Sequence, residues 1–174
     1  MDRKKFQGLL CTEFFPGLRE SGFQGSGTTL RRITEPIIHV VNIQGSSSAA
    51  GFYVNLGTHL SFLPTEGGCV CVPKAIKESQ CSFRTRVDPL PSLSRDGSWP
   101  YGRDERQARL VIGELWSAWR NQAEPYFSSM ASFPEDFSLL VEHTVSTSPH
   151  PSHALTIARI GLKVGMLHEA NSIA

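Results

Sequence analysis

Four runs in the first half of the chain alternate apolar with polar residues, as β-strands do. They are residues 28–33, 37–44, 51–60 and 81–88, and they are rich in β-branched and aromatic side chains. The small-residue linker GSSSAA joins the second run to the third, so the sequence predicts an antiparallel hairpin there. Residues 64–80, with two prolines and two glycines, predict an irregular excursion, and residues 89–102 predict a loop.

Segments with helical periodicity precede and follow these strands. In residues 3–20 the apolar positions Phe6, Leu9, Leu10, Phe14 and Leu18 form one stripe, and Pro16 predicts a kink. Residues 103–123 follow the i, i+3, i+4, i+7 pattern more closely than any other stretch. Because proline lacks a backbone N–H, Pro125 predicts the end of that helix.

The C-terminal part predicts two more helices. One is expected to begin at Ser132 as its N-cap, and the last to run from about residue 153 to 169 with Ser152 as its cap. Gly161 and Gly165 lie four residues apart on this last helix, with Ala158 on the same face. Such small residues indicate close helix packing, and an alternative is a homodimer interface.

Strands grouped together and helices grouped together are typical of an α+β fold. We therefore expect an N-terminal helix, an antiparallel sheet of about four to six strands, and C-terminal helices packed on one face of it. The length suits one domain spanning residues 1–174, with a helical C-terminal part at about 126–170.

Side chains alternate along a strand, so residues two apart share a face about 6.5–7 Å from each other. In residues 81–88 this places Cys81, Phe83, Thr85 and Val87 on an apolar face and Ser82, Arg84, Arg86 and Asp88 on the other. Two guanidinium forks thus lie side by side. Arginine forks match carboxylates and phosphates, which predicts an anion-binding surface.

The hairpin strands extend this polar face. Tyr53, Asn55, Gly57 and His59 alternate with apolar residues, and Asn42 and Gln44 do the same on the preceding strand. The candidate ligand-binding residues are Asn42, Tyr53, Asn55, His59, Arg84 and Arg86. The alternative is that an open antiparallel sheet simply turns polar side chains to water.

The net charge and the lack of targeting signals limit the classes of protein to which this chain can belong. A net charge of +1 gives no overall field for nucleic acid or anionic lipid. Glu13 and Pro16 interrupt any apolar run near the N-terminus, which argues against a signal peptide, and no run approaches the roughly 20 residues of a membrane span. We expect a soluble, cytoplasmic protein that does not contact membranes.

The cysteines give weak chemical signals. Cys81 is interpreted as a packed small hydrophobe; as a nucleophile it would need His39 or His59 as a base. Cys69, Cys71 and Cys81 with His59 lack the paired spacings of zinc sites, so we predict no metal and no other cofactor. Phosphate-binding loops and the nucleophile elbow are also missing from the sequence.

Several stretches, taken in order, resemble a known family. They are Gly22–Phe23 (GF), Val40–Gln44 (VVNIQ), Phe52–Gly57 (FYVNLG), Cys81–Val87 (CSFRTRV) and then Trp99. Over roughly residues 5–125 the chain resembles domain-of-unknown-function family 4304. The resemblance implies an α+β fold and a bacterial protein, and it supplies no catalytic residues. The extra CVC in residues 64–80, and Tyr101 where a second tryptophan is expected, depart from the family pattern.

These observations leave two functions open. The leading hypothesis is a non-enzymatic binding module whose polar sheet face holds an anionic ligand or an acidic partner. The alternative is an enzyme acting on a phosphorylated or carboxylated small molecule, in which His59 or Cys81 works beside the arginines. Nucleic-acid binding is disfavoured because Tyr53 is the one aromatic residue on that face.

Overall fold

The computed structural model of the protein describes residues 1–47, 51–90, 97–147 and 149–173. Within them, six antiparallel strands form one sheet: β1 (Gln24–Ser26), β2 (Thr29–Thr34), β3 (Ile37–Gly45), β4 (Gly51–Leu60), β5 (Phe83–Val87) and β6 (Trp99–Pro100). The first five strands are neighbours in chain order, and β6 pairs with the start of β4. The α+β class, the antiparallel sheet and the β3–β4 hairpin predicted from the sequence are confirmed.

Two strand boundaries differ from the prediction. Strand β5 begins at Phe83 rather than at residue 81, because Glu78–Gln80 form a short 3-10 helix just before it. The predicted loop 89–102 contains β6, and its residues 91–96 lie outside the described residues. The indole N–H of Trp99 donates to the carbonyl of Val87 at 2.7 Å, which ties β6 to β5. A strand of two residues has no periodicity that a sequence pattern can detect.

The N-terminal helix contains a wide turn. It consists of α1 (Arg3–Leu9), a π-helical turn (Leu10–Phe14) and α2 (Phe15–Glu20). The N–H of Phe15 donates to the carbonyl of Leu10, five residues back. Because Pro16 has no N–H and its ring crowds the preceding turn, the extra residue accommodates it without ending the helix.

A π-helical turn also precedes a proline in the second long helix. Helix α3 (Glu105–Ala118) continues through a π-helical turn (Trp119–Ala123) into α4 (Glu124–Ser128). The prediction that Pro125 ends this helix is therefore wrong. Pro125 lies in the first turn of α4, after the N–H of Glu124 has bonded to the carbonyl of Trp119.

Three further helices follow: α5 (Glu135–Val145), α6 (Pro151–Val164) and α7 (Leu167–Ile173). The single last helix predicted over residues 153–169 is wrong, because Gly165 adopts a left-handed conformation (φ 86°) that ends α6. His150 rather than Ser152 caps α6 with its side chain. At the start of α5, the backbone N–H of Ser132 donates to the Asp136 carboxylate at 2.8 Å, so the predicted Ser132 side-chain cap is wrong as well.

Gly161 lies inside this helical part. A Cβ atom built on it would be 3.0 Å from Cβ of Ala170 on α7 and 3.4 Å from a methyl carbon of Val141 on α5. The glycine thus lets three helices approach closely. Helix α7 covers Gly161, and Gly165 ends α6. Because both glycines have a role within the chain, they give no reason to propose a homodimer.

Helices α1 to α6 cover one face of the sheet. Helices α1 to α4 pack on Val41, Val54, Leu56 and their neighbours in the larger core. Helices α5 and α6 pack through Phe137, Val141, Ile157 and Ile160 against Ile37, Leu60 and Phe83 at the other end of that face. The expected packing of the C-terminal helices on one face is confirmed.

The opposite face is more covered than the sequence predicts. Residues 61–82 fold back over half of it and bury a small cluster of Ile38, Val40, Cys71, Ile76 and Cys81. Arg31 fastens this segment, since its guanidinium donates to the carbonyls of Ile76 at 2.6 Å and Ala75 at 3.3 Å. Residues 61–82 therefore cover part of the polar face and leave the part beside β5 open.

Candidate anion-binding surface

The register of β4 and β5 brings the predicted arginines beside the predicted amide. Arg86 pairs with Asn55, and Arg84 pairs with Gly57. Asn42 lies opposite Asn55 on β3, so these side chains project from one face. The open part of this face forms a depression of about 460 Å³ lined by Gln44, Asn55, Glu78, Ser79, Arg84, Thr85 and Arg86, which we call the arginine surface.

Arg86 is held in place on both sides. Its Nε–H donates to Oδ1 of Asn55 at 3.0 Å. Its guanidinium carbon lies 4.7 Å from the centre of the Tyr53 ring, a cation–π distance. These contacts orient the guanidinium of Arg86 and leave its terminal Nη groups at the surface.

A row of polar side chains supports Asn55 from behind. Its amide nitrogen donates to Oε1 of Gln44 at 3.0 Å and, at the longer distance of 3.5 Å, to Oδ1 of Asn42. Asn42 in turn donates to the hydroxyl of Thr29 at 2.8 Å. The buried Asn55 side chain is thus satisfied across three strands, which fixes the oxygen that Arg86 contacts.

Arg84 differs from Arg86. Its side chain is exposed and makes no hydrogen bond or ion pair with any residue that the structure describes. The nearest acid on this surface is Glu78, from the short 3-10 helix. Partial burial raises the pKa of the Glu78 carboxyl, and the charges of Arg84 and Arg86 oppose that rise.

His59 lies away from the arginine surface. It is completely buried, its Nε2 donates to the carbonyl of Leu63 at 3.3 Å, and its Nδ1 accepts the Ser82 backbone N–H at 3.3 Å. Burial lowers the pKa of this imidazole, which keeps it neutral. Of the six predicted residues, the structure brings together Tyr53, Asn55, Arg84 and Arg86, with Asn42 directly behind them.

The side predicted for Cys81 is wrong. Because β5 starts two residues later, alternation does not apply at Cys81, and its thiol points to the same face as Arg84, beneath Gly57. The thiol donates to the carbonyl of Lys77 at 3.5 Å, and burial raises its pKa to about 12. Cys81 is thus an inert packed thiol, as its interpretation as a small hydrophobe implied.

Glu78 and Ser79 also belong to this surface, although the sequence pattern does not predict it. Both belong to the excursion that precedes β5, where no periodic pattern exists. Glu78 is the residue that matters chemically, since it places a negative charge beside the two arginines. No local signal in the sequence indicates that the excursion folds back onto this face.

The outer edge of β5 is protected by side chains. The hydroxyl of Tyr126 donates to the carbonyl of Phe83 at 2.9 Å, and Trp99 covers the carbonyl of Val87. The Gln122 amide makes two hydrogen bonds of 2.9 Å with the backbone of Asp88. Side chains thus bond to the backbone at both ends of β5, at Phe83 and at Val87–Asp88.

No group of three or more His, Cys, Asp or Glu side chains that suits a metal ion occurs among the described residues. Cys69 is exposed, whereas Cys71 and Cys81 are buried in the small cluster under residues 61–82. In the same described ranges, none of the helices combines the length and apolar character that crossing a bilayer requires.

The fold and the surface define an α+β protein with a helix-covered antiparallel sheet and an arginine-bearing open face. A family model described as a domain of unknown function (DUF4304) matches residues 14–129, and the chain belongs to this family. The match covers the sheet and α2 to α4, and it ends before α5. No curated protein and no solved structure matches the chain.

Proposed function

We propose that the protein is a non-catalytic binding module whose arginine surface holds carboxylates of an acidic segment of a partner protein. The observation that carries this proposal is the pairing of a preoriented Arg86 with an Arg84 that has no internal partner among the described residues. An exposed arginine that makes no hydrogen bond or ion pair with a described residue is available to a ligand.

Spacing supports an extended acidic segment. Arg84 and Arg86 are two residues apart on β5, which separates their attachment points by about 6.5–7 Å. Carboxylates at alternate positions of an extended peptide have the same separation. The two arginines therefore match an acid-x-acid pattern, with one fork for each carboxylate.

The shape of the surface also supports a macromolecular partner. Small-molecule sites enclose most of the ligand, whereas this depression is open to solvent along its length. The exposed side chains of Gln44 and Ser79 at its margin add neutral hydrogen-bonding groups. A cytoplasmic location belongs to the same proposal and is supported by the four free cysteines.

No observation favours the enzymatic alternative at this surface. It requires a base or nucleophile beside the arginines, and both ring nitrogens of the buried His59 are engaged. Burial raises the pKa of the Cys81 thiol to about 12, and Cys81 packs in the cluster with Ile38 and Val40.

The test uses two synthetic fluorescent peptides of equal charge. In one, glutamates alternate with threonines; in the other, the glutamates are contiguous. We expect the alternating peptide to bind more tightly, and the double variant Arg84→Ala, Arg86→Ala to lose at least about tenfold in affinity.

A matched control separates local contacts from overall charge. Arg106 and Arg120 are exposed on the other side of the sheet, so replacing both with alanine removes the same charge. This control variant is expected to bind like the unmodified protein. Equal losses in the two double variants, or equal binding of the two peptides, would refute the proposal.

A further inference from the structure

A second pocket lies on the helix-covered side of the sheet, where α4 passes over β2. Its volume is about 270 Å³, and Phe23, Trp119 and Phe127 form its floor. Arg32 and Glu124 line it together with the exposed Ser21. Arg32 pairs with His39 across the sheet, so its side chain projects opposite to those of Arg84 and Arg86. The pocket is thus independent of the arginine surface.

Arg32 is a half-buried cation surrounded by aromatic rings. Its guanidinium carbon lies 4.8 Å from the ring centre of Phe23 and 5.8 Å from that of Phe127. Its Nη1 donates to the carbonyl of Ser21 at 3.2 Å, and its Nη2 to Nδ1 of His39 at 3.0 Å. These contacts orient the guanidinium rigidly.

Both protein acceptors of Arg32 are neutral. The Ser21 acceptor is a backbone carbonyl, and burial lowers the pKa of His39 to about 4, so its ring is uncharged at neutral pH. No carboxylate among the described residues lies within ion-pair distance of Arg32. A half-buried charge without a counter-charge favours binding of an anionic group.

Glu124 supplies an opposite charge at the mouth of the same pocket. It follows directly after the π-helical turn Trp119–Ala123, and its exposed side chain makes no ion pair with a described residue. Arg32 and Glu124 therefore line one small pocket without neutralising each other.

We propose that this pocket binds a small zwitterion of the α-amino acid type. The carboxylate pairs with Arg32, and the ammonium pairs with Glu124 at the mouth. The rings of Phe23, Trp119 and Phe127 are buried and hold the Arg32 guanidinium in place, so the ligand meets Arg32 and Glu124 above them. The volume is slightly below the roughly 300–1,000 Å³ typical of drug-sized ligands, which suits a molecule this small.

The test is NMR titration of the full chain with each of the twenty standard amino acids, up to about 10 mM. The indole N–H signal of Trp119, assigned from a Trp119→Phe variant, reports on the pocket. We expect at least one amino acid to shift this signal, and its methyl ester and N-acetyl derivative to bind at least about tenfold more weakly.

Glu124→Gln provides the sharper measurement because Glu124 is exposed and its replacement leaves the core intact. In this variant we expect the amino acid and its N-acetyl derivative to bind with equal affinity, since the carboxylate that pairs with the ammonium is gone. Arg32→Lys is expected to weaken binding of both about tenfold while the protein stays folded. Glu142→Gln, an exposed change on α5, is the matched control.

The double variant Arg84→Ala, Arg86→Ala is expected to bind the amino acid normally, which separates this pocket from the arginine surface. If no amino acid shifts the Trp119 signal, the proposal is wrong. It is equally wrong if the N-acetyl derivative binds the unmodified protein as tightly as the free amino acid does.

Discussion

On the polar face of the sheet, the Cys81 side chain fills the space that a side chain at Gly57 would occupy. A Cβ atom built on Gly57 would lie 2.8 Å from Sγ and 2.9 Å from Cβ of Cys81, closer than real contacts allow. The missing side chain of Gly57 is what lets the segment of residues 61–82 dock on β4. The position of Glu78 beside the arginines depends on this contact, since Glu78 precedes Cys81 by three residues.

Gly57→Ala is therefore expected to destabilise the protein by about 1–3 kcal/mol through overpacking. The measurement is urea unfolding followed by circular dichroism. Cys81→Gly in the same chain removes both clashing atoms, so the double variant should lose less stability than the sum of the two single changes.

Gly8→Ala is the matched control. No atom lies within 4 Å of a Cβ at Gly8, which sits in α1, so this change should stabilise by about 0.5–1 kcal/mol. Simple additivity of Gly57→Ala and Cys81→Gly would show that the two positions do not compete for space.

Because His39 is buried in its neutral form, we expect the folded protein to lose stability in acid. Its pKa is about 4 in the folded protein and about 6.5 when exposed, so between these values the unfolded chain binds more protons. Stability from the neutral ring is complete above about pH 6.5 and falls as the pH drops towards 4, by about 3 kcal/mol in total. Urea unfolding at a series of pH values measures this slope.

His39→Gln should flatten this pH dependence. Glutamine can accept from Arg32 and donate to the carbonyl of Met130, as the neutral histidine does at 3.0 Å in each case, but it does not titrate. The buried His59 has a lowered pKa too, so some slope should remain. An unchanged slope in the variant would contradict the role assigned to His39.

Glu78 should weaken binding at the arginine surface. Its negative charge lies among the groups that we propose hold the acidic peptide, so Glu78→Gln is expected to tighten binding by about three- to tenfold. For the unmodified protein, affinity should rise as the pH falls through the raised pKa of Glu78, while the peptide glutamates are still ionised.

Fluorescence anisotropy measured as the pH is lowered from 7 follows both effects, and the rise on acidification should disappear in Glu78→Gln. Glu66→Gln, an exposed change elsewhere on residues 61–82, is the control. Weaker binding by Glu78→Gln would mean that Glu78 orients the arginines and does not compete with the ligand.

Much of the candidate site could be predicted because alternation is a local property. A strand places every second side chain on one face, so Arg84 and Arg86 had to lie together. The pairing of Asn55 with Arg86 followed once β4 and β5 became neighbours. The family resemblance rested on the same strands, and the match to residues 14–129 agrees with it.

The remaining features depend on contacts between distant parts of the chain. The side on which Cys81 lies and the position of Glu78 follow from an irregular segment docking on Gly57. Whether Pro125 ends a helix or is accommodated by a π-helical turn depends on packing, in which Trp119 meets Phe14 and Phe23. Local propensity contains no information about such partners.

The amino-acid sequence by itself determined the fold class and the face that carries the arginines, because these follow from periodicity along single elements, and the resemblance of its motifs pointed to the family. Only the tertiary structure decided which part of that face is open and that His59 is buried. It alone brought Arg32 and Glu124 into one pocket, since their positions along the chain are far apart and only packing of α4 on β2 joins them.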